Sequence, residues 1–341
     1  MSLVIRLIAA RCCAPLSLFL AAATLLLVPS IACQAAKQQT APTTEASAAV
    51  IGGVSYQHRA PLDARSEPVF DTANPPKGPL AVGTYRIRYR GAGGASVPGL
   101  FTTPLSATTP VPTVLLLHGL GGSKADLLLL GVAFARRGYA SLAIDIVGHG
   151  ERRQVRGKPV SRLTVTEMHD LVAFTAVDLR RAMDLLETRP EVDRRKIGFL
   201  GVSLGGIIGG LFVGSEPRVR AAGLWASGGN WGRLLATSQH PFAAEFRKTN
   251  QLTTNSAIAL QAKLADVDPL TVIGRAAPRP ILLINGTNDT IVPRACADAL
   301  FRAVNLPKER ILLPGGHIPD FNGMTTQSLA FFDRKLKDPR S

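Results

Sequence analysis

The sequence predicts an α/β fold, a mostly parallel sheet of about eight strands flanked by helices, with a short helical insertion over the cleft. Three observations predict it. Continuous apolar runs such as Val111–Leu117 and Tyr139–Ile146 read as strands buried on both faces. Segments with helical spacing lie between those runs, the alternation that builds a parallel sheet covered by helices. Finally, Gly201-Val-Ser-Leu-Gly205 stands between an apolar strand-like stretch and a Gly-rich helical one, the setting of a sharp strand-to-helix turn.

The chain has 341 residues and is 46% hydrophobic, ample for one large core; we expect a single domain over residues 50–341. The formal net charge is +15, from 39 Lys and Arg against 24 Asp and Glu. The basic groups Arg152-Arg153, Arg180-Arg181 and Arg194-Arg195-Lys196 are scattered, so they read as solvated faces and no nucleic-acid partner is expected. Of the four cysteines, Cys12, Cys13, Cys33 and Cys296, only Cys296 sits well inside the expected domain. It cannot form a disulfide there and reads as a small buried residue.

Residues 1–36 read as an export signal. Arg6 and Arg11 supply the positive start, Leu16–Val28 the apolar run, and Pro29-Ser-Ile-Ala-Cys33 a small-residue processing region. Ser30-Ile-Ala-Cys33 also resembles a bacterial lipobox, although Ser30 replaces the usual aliphatic residue. Attachment to a membrane through a lipidated Cys33 and plain cleavage near Ala32 or Ala36 both stay open, with an uncleaved anchor as a third option; in each case a periplasmic or extracellular protein is expected. Residues 37–49 are small and polar, a flexible leader. Residues 50–80, rich in Pro, Asp and Ser, read as an irregular segment crossing the domain surface.

Thr84–Arg90 alternates strictly, predicting a half-exposed strand that pairs across the Gly91–Gly94 turn with a second strand at Val97–Thr102. Val111–Leu117 follows as a buried strand, then the loop His118-Gly-Leu-Gly-Gly122, a helix over Asp126–Arg137 ended by Gly138, and a strand over Tyr139–Ile146. Glu167–Thr188 is an amphipathic helix. Further strands are expected at Glu191–Val202, Arg220–Ser227, Pro280–Asn285 and Glu309–Leu313, and helices at Pro293–Val304 and Met324–Leu336. Residues 227–267 are longer than a simple crossover and should form short helices over the cleft as a small lid.

A serine hydroxyl is a weak nucleophile until a base takes its proton, and that base is held in one tautomer by a carboxylate. Ser203, at the centre of Gly201–Gly205, is the candidate nucleophile. His317, on the Gly-rich loop after the last strand, is the candidate base. Asp289, just past Pro280–Asn285, is the candidate carboxylate; Asp268 and Asp320 fit the order less well. The order Ser203, Asp289, His317 is that of one serine-hydrolase architecture and differs from the others. The oxyanion that such an attack creates needs fixed N–H donors, assigned to the amides of Leu120 and Leu204. His118 should hydrogen-bond its own loop, and His149, beside Asp145, should brace the cleft. No metal is expected, because the histidines form no i, i+4 pair and have no Cys partner. No cofactor is implied. Trp231, Phe242 and Phe246 could line a substrate pocket or pack a helical lid onto the body.

These motifs, with Asp145-Ile-Val-Gly-His-Gly150, Gly286-Thr-Asn-Asp289 and Gly316-His317, carry a resemblance to the α/β-hydrolase superfamily from about Thr84 to Leu336. Within it the chain is most similar to dienelactone-hydrolase-like and prolyl-oligopeptidase-like serine esterases. Dienelactone hydrolases proper use a cysteine nucleophile, and Ser203 stands here instead. The resemblance implies a serine hydrolase cleaving a small-molecule carboxylic ester, and residues 1–36 add the expectation that it is exported. The alternatives are a prolyl-oligopeptidase-like peptidase, for which the chain lacks the length of a β-propeller gate, and a non-enzymatic binding protein on a hydrolase fold. Nothing in the sequence bears on oligomeric state.

Overall fold

The computed structural model describes residues 50–70 and 72–337. The expected export signal, leader and Cys33 lie outside the described residues. Three short strands, β1 (Val50–Ile51), β2 (Val54–Ser55) and β3 (Arg65–Pro68), come first. The antiparallel pair β4 (Val82–Arg90) and β5 (Ser96–Pro104) follows, then β6 (Val111–Leu117). A capped 3-10 turn at Lys124–Leu127 leads into α1 (Leu128–Arg136), which precedes β7 (Ala140–Ile144) and the long α2 (Val165–Thr188). Next are β8 (Val192–Val202), α3 (Leu204–Ser215) and β9 (Ala221–Trp225). Three short helices, α4 (Trp231–Thr237), α5 (Pro241–Thr249) and α6 (Thr254–Ala259), occupy the expected insertion. The chain then runs through β10 (Ile281–Gly286), α7 (Arg294–Ala303), β11 (Lys308–Leu313) and α8 (Phe321–Phe332).

Among the described residues, nine strands form one sheet in the order β11-β10-β9-β8-β6-β7-β5-β4-β3. The six from β11 to β7 are parallel, and β5, β4 and β3 continue the sheet antiparallel. Neighbouring residues on a parallel strand serve opposite cores, as the period of two requires. Leu115 and Leu117 face the layer of α2 and α3, while Val114 and Leu116 face Phe134 of α1 and Phe331 and Phe332 of α8. Both faces are covered, so these strands read as predominantly apolar runs.

The segment 50–80 departs from the irregular run expected of it. β1 and β2 make a small hairpin, and β3 adds a ninth strand at the sheet edge, against β4. Every residue of β3 is exposed, so it has no apolar face for a sequence pattern to reveal. The adjoining chain is held by Arg181 of α2. Its guanidinium donates to the carbonyls of Gln57, His58, Ala60, Pro61 and Arg90 while pairing with Asp184 at 2.7 Å. The helix expected over Met324–Leu336 stops at Phe332 and continues as a π turn at Asp333–Lys337.

Candidate active site

The parallel strands end at one edge of the sheet, where open α/β sheets place their ligands. β6 and β8 are in register there, Leu117 opposite Gly201, and β10 and β11 likewise, Gly286 opposite Leu313. The loops leaving these four ends carry the candidate residues.

After β8 the chain turns into α3 through Ser203, whose backbone adopts φ 54°, ψ −117°. A non-glycine residue held there stores on the order of 1–3 kcal/mol, which its surroundings must offset. The Ser203 amide donates to the Trp225 carbonyl at 2.8 Å, and the Ser203 carbonyl accepts from Gly206 and Ile207. Both flanking glycines are required by space. A Cβ on Gly201 would collide with the backbone of Gly205, and one on Gly205 with the carbonyls of Leu117 and His118.

The loops after β10 and β11 are tied together, Thr287 N–H to Leu313 O at 2.9 Å and Asn288 N–H to Gly315 O at 2.8 Å. Gly286 lets them approach, since a Cβ there would overlap the Gly316 carbonyl. This pairing brings Asp289 and His317 together. His317 Nδ1 lies 2.8 Å from Asp289 Oδ2, and His317 Nε2 lies 2.7 Å from Ser203 Oγ. The second oxygen of Asp289 accepts from the amides of Ile291 and Val292, both at 2.9 Å. Asp289 is buried, while the His317 side chain is 21% exposed at the cleft. With Asp289 accepting at Nδ1, Nε2 of a neutral His317 is left as the acceptor facing the serine hydroxyl.

The runners-up stand elsewhere. Asp268 is fully buried and accepts from the amides of Trp231 and Leu270 and from Gln261 Nε2. It braces the start of α4. Asp320 caps α8 through the Gly323 amide.

His118 and His149 are both buried. The Ile146 amide donates to His118 Nε2 at 3.1 Å, so the ring proton sits on Nδ1 and is donated to the Gly119 carbonyl at 2.8 Å. Burial pushes His118 down to about 4, so it is neutral at pH 7 and cross-links the loop after β6 to the end of β7. His149 is also held below its ordinary value, chiefly by burial, and lies against Val147 O at 3.1 Å. Asp145 accepts from Lys124 N, Lys124 Nζ and Glu151 N, fixing two loops at once. Cys296 is buried, and burial pushes its thiol up to about 12.

A cavity of about 240 Å³ opens beside Ser203 and His317. Leu120 and Leu204, the expected oxyanion donors, line it with Trp231 and Phe242. Phe246 does not belong to this lining. It is fully buried and stacks against Phe242, ring centroids 5.7 Å apart, because its place on α5 turns it into the core. Sequence reasoning missed the walls supplied by α2 (Met168, Leu171, Val172) and by Ile207 of α3. Their spacing signals a buried helix face, and nothing local says that part of that face borders a void.

Away from this site, His58, Asp184 and Glu187 bring ligand-type atoms within 4.8 Å of one another. Arg218 Nη1 already pairs with Asp184 at 2.8 Å and Glu187 at 3.0 Å, so the cluster is an ion network tying the chain after β2 and the loop after α3 to α2. No helix among the described residues is long and apolar enough to cross a membrane.

Residues 114–324 match the sequence profile of the Alpha/beta hydrolase family. The chain belongs to that family. It is 24% identical over 251 residues to YtaP of Bacillus subtilis (strain 168), spanning 66% of this chain and 80% of that one. It is 26% identical over 200 residues to the esterase YjfP of Escherichia coli (strain K12), spanning 58% of this chain and 77% of that one. Among solved structures it resembles the acetyl xylan esterase from Paenibacillus sp. R4, with a TM-score of 0.66 and 22% identity, covering 81% of this chain and 90% of that chain. This member of the family is therefore a hydrolase with esterases among its neighbours.

Proposed function

We propose that this hydrolase is an exported serine esterase that cleaves carboxylic esters through an acyl-enzyme on Ser203. The observation that carries the reading is the unbroken line Ser203 Oγ to His317 Nε2 at 2.7 Å and His317 Nδ1 to Asp289 Oδ2 at 2.8 Å. Ser203 Oγ attacks the ester carbonyl carbon as Nε2 takes its proton. The Leu120 and Leu204 amides receive the negative charge that forms on the carbonyl oxygen. Collapse of this intermediate breaks the bond to the alcohol oxygen, which takes the proton from His317 and leaves. Water, deprotonated by Nε2, then attacks the acyl carbon, and the carboxylic acid departs as Ser203 Oγ is reprotonated. Asp289, itself held by two amides, keeps the ring oriented and stabilises the imidazolium.

A fluorophosphonate probe tests the nucleophile: mass spectrometry should place the adduct on Ser203. An adduct elsewhere on a folded, active protein would overturn the reading. Export rests on the charged start, apolar run and small residues up to Cys33. The mature N-terminus should be a lipidated Cys33 or a residue beside Ala32–Lys37, and an intact Met1 on a cytoplasmic protein would defeat the export proposal.

A further inference from the structure

We infer that the cavity beside Ser203 is an acyl-chain pocket selecting neutral, apolar acyl groups of about eight carbons; this rests on the esterase reading above. The walls are hydrocarbon from four directions: Leu171 and Val172 of α2, Ile207 of α3, Leu234 of α4 and Ala243 of α5. No Asp, Glu, Lys or Arg lines it. The polar side chains that do line it, apart from Ser203 and His317, each hold a hydrogen bond within the protein, His240 through Nδ1. Ser238 Oγ donates to the Ile291 carbonyl at 2.7 Å and accepts from the His240 amide at 3.2 Å. His240 Nδ1 accepts from the Phe242 amide at 3.0 Å, and the Trp231 indole donates to the Val267 carbonyl at 3.1 Å. A charged or hydroxylated acyl group entering here would lose its water and find little to replace it.

Size narrows the class. An apolar cavity of about 150 Å³ accommodates benzene, six carbons. At about 240 Å³ this one accommodates roughly eight to ten. The order of events assigns it to the acyl side. After the first half-reaction the alcohol departs while the acyl group stays on Ser203, so the group lodged between lid and core is the one that can wait there for water. A second, more polar cleft, bordered by Leu120, Gly121, Arg153 and Lys158, continues from the oxyanion loop and offers the alcohol its way out.

The experiment is a set of kcat/KM values for p-nitrophenyl esters from acetyl to dodecanoyl, beside acetate esters of straight-chain alcohols of matching length. Burying one methylene corresponds to about fourfold in kcat/KM. The acyl series should therefore climb by up to about fourfold per carbon, peak near octanoyl and fall by dodecanoyl, with the alcohol series much flatter. Ala243→Leu, which fills the cavity, should lower the octanoyl-to-acetyl ratio at least tenfold. Leu234→Ala, which widens it, should move the peak to longer chains and gives a readout if Ala243→Leu does not fold. An acyl series that peaks at acetyl, or a length dependence confined to the alcohol series, would overturn the pocket while leaving the esterase standing. A folded protein that labels on Ser203 yet hydrolyses none of these esters would overturn both readings.

Discussion

Asp289 accepts three hydrogen bonds with its two oxygens: His317 Nδ1 on Oδ2, and the Ile291 and Val292 amides on Oδ1. The two amides set the carboxylate, and the carboxylate sets the ring. Asp289→Asn puts an NH₂ group among these donors or turns it toward the ring, which spoils the tautomer Ser203 needs. The expected result is a fall in kcat on the order of 10⁴ for ester hydrolysis, the size seen when a serine protease triad loses its carboxylate this way. Asp268→Asn should instead leave kcat within a few fold and lower stability by about 1–3 kcal/mol, since Asp268 accepts from the Trp231 and Leu270 amides. Steady-state kinetics beside thermal unfolding separates the two, and a large kcat loss in Asp268→Asn alone would mean the wrong carboxylate has been chosen.

His317 can accept the Ser203 proton only when neutral, so kcat/KM for an uncharged ester should rise with pH along one ionisation. His317→Ala should abolish that limb and lower kcat by on the order of 10⁶, as loss of the base does in a comparable triad. His240 borders the cavity and is held below its ordinary value, first by burial and then by the charge of His317, but it makes no bond to Ser203. His240→Ala should keep the limb. A pH profile unchanged in His317→Ala would show that the proton goes elsewhere.

Stability should depend on pH in a window set by His118. Its folded value is about 4, against about 6.5 for a free histidine, so between these values the unfolded chain binds more protons than the native one. The contribution is whole above about pH 6.5 and is lost as pH falls towards about 4, amounting to as much as about 3 kcal/mol. His149, also shifted down by burial, acts in the same direction. Denaturant unfolding at pH 7 and 4.5 should show the fall. His118→Gln should be less stable at pH 7 but lose less between the two, and an equally steep loss in the variant would refute the assignment.

Gly205→Ala should not yield folded protein, because the new methyl would overlap the backbone carbonyls of Leu117 and His118, which have no flexible end to move. Gly93→Ala is the contrast. Its nearest neighbour would be a Phe174 ring carbon at 3.5 Å, so only the strain of its φ of +60° is felt and about 1–2 kcal/mol is expected. Soluble yield and thermal melting distinguish them. A Gly205→Ala protein that melts like the parent would mean that strand and helix do not pack this closely.

Much of this protein was legible locally. Val111–Leu117 is apolar at every position but two because both its faces are covered, and the structure returns the same bounds. The order of Ser203, Asp289 and His317 could be read because each follows a recognisable strand, and strand ends are where a parallel sheet collects its loops. β3 was not legible, because Arg-Ser-Glu-Pro at an exposed edge carries no apolar period and pairs only because β4 is already there. Phe242 and Phe246 could not be separated either. They lie one helical turn apart with the same residue type, and only the packing of α5 decides that one borders the cavity and the other is sealed behind it. Sequence by itself determined most of the sheet's strands, their alternation with helices and the candidate reactive groups, since these follow from short-range periodicity and turn chemistry. The tertiary structure alone decided the 2.7 Å and 2.8 Å distances at His317 and the shape of the void beside Ser203, because these arise from contacts between loops 28 and 114 residues apart in the chain and between separate helices.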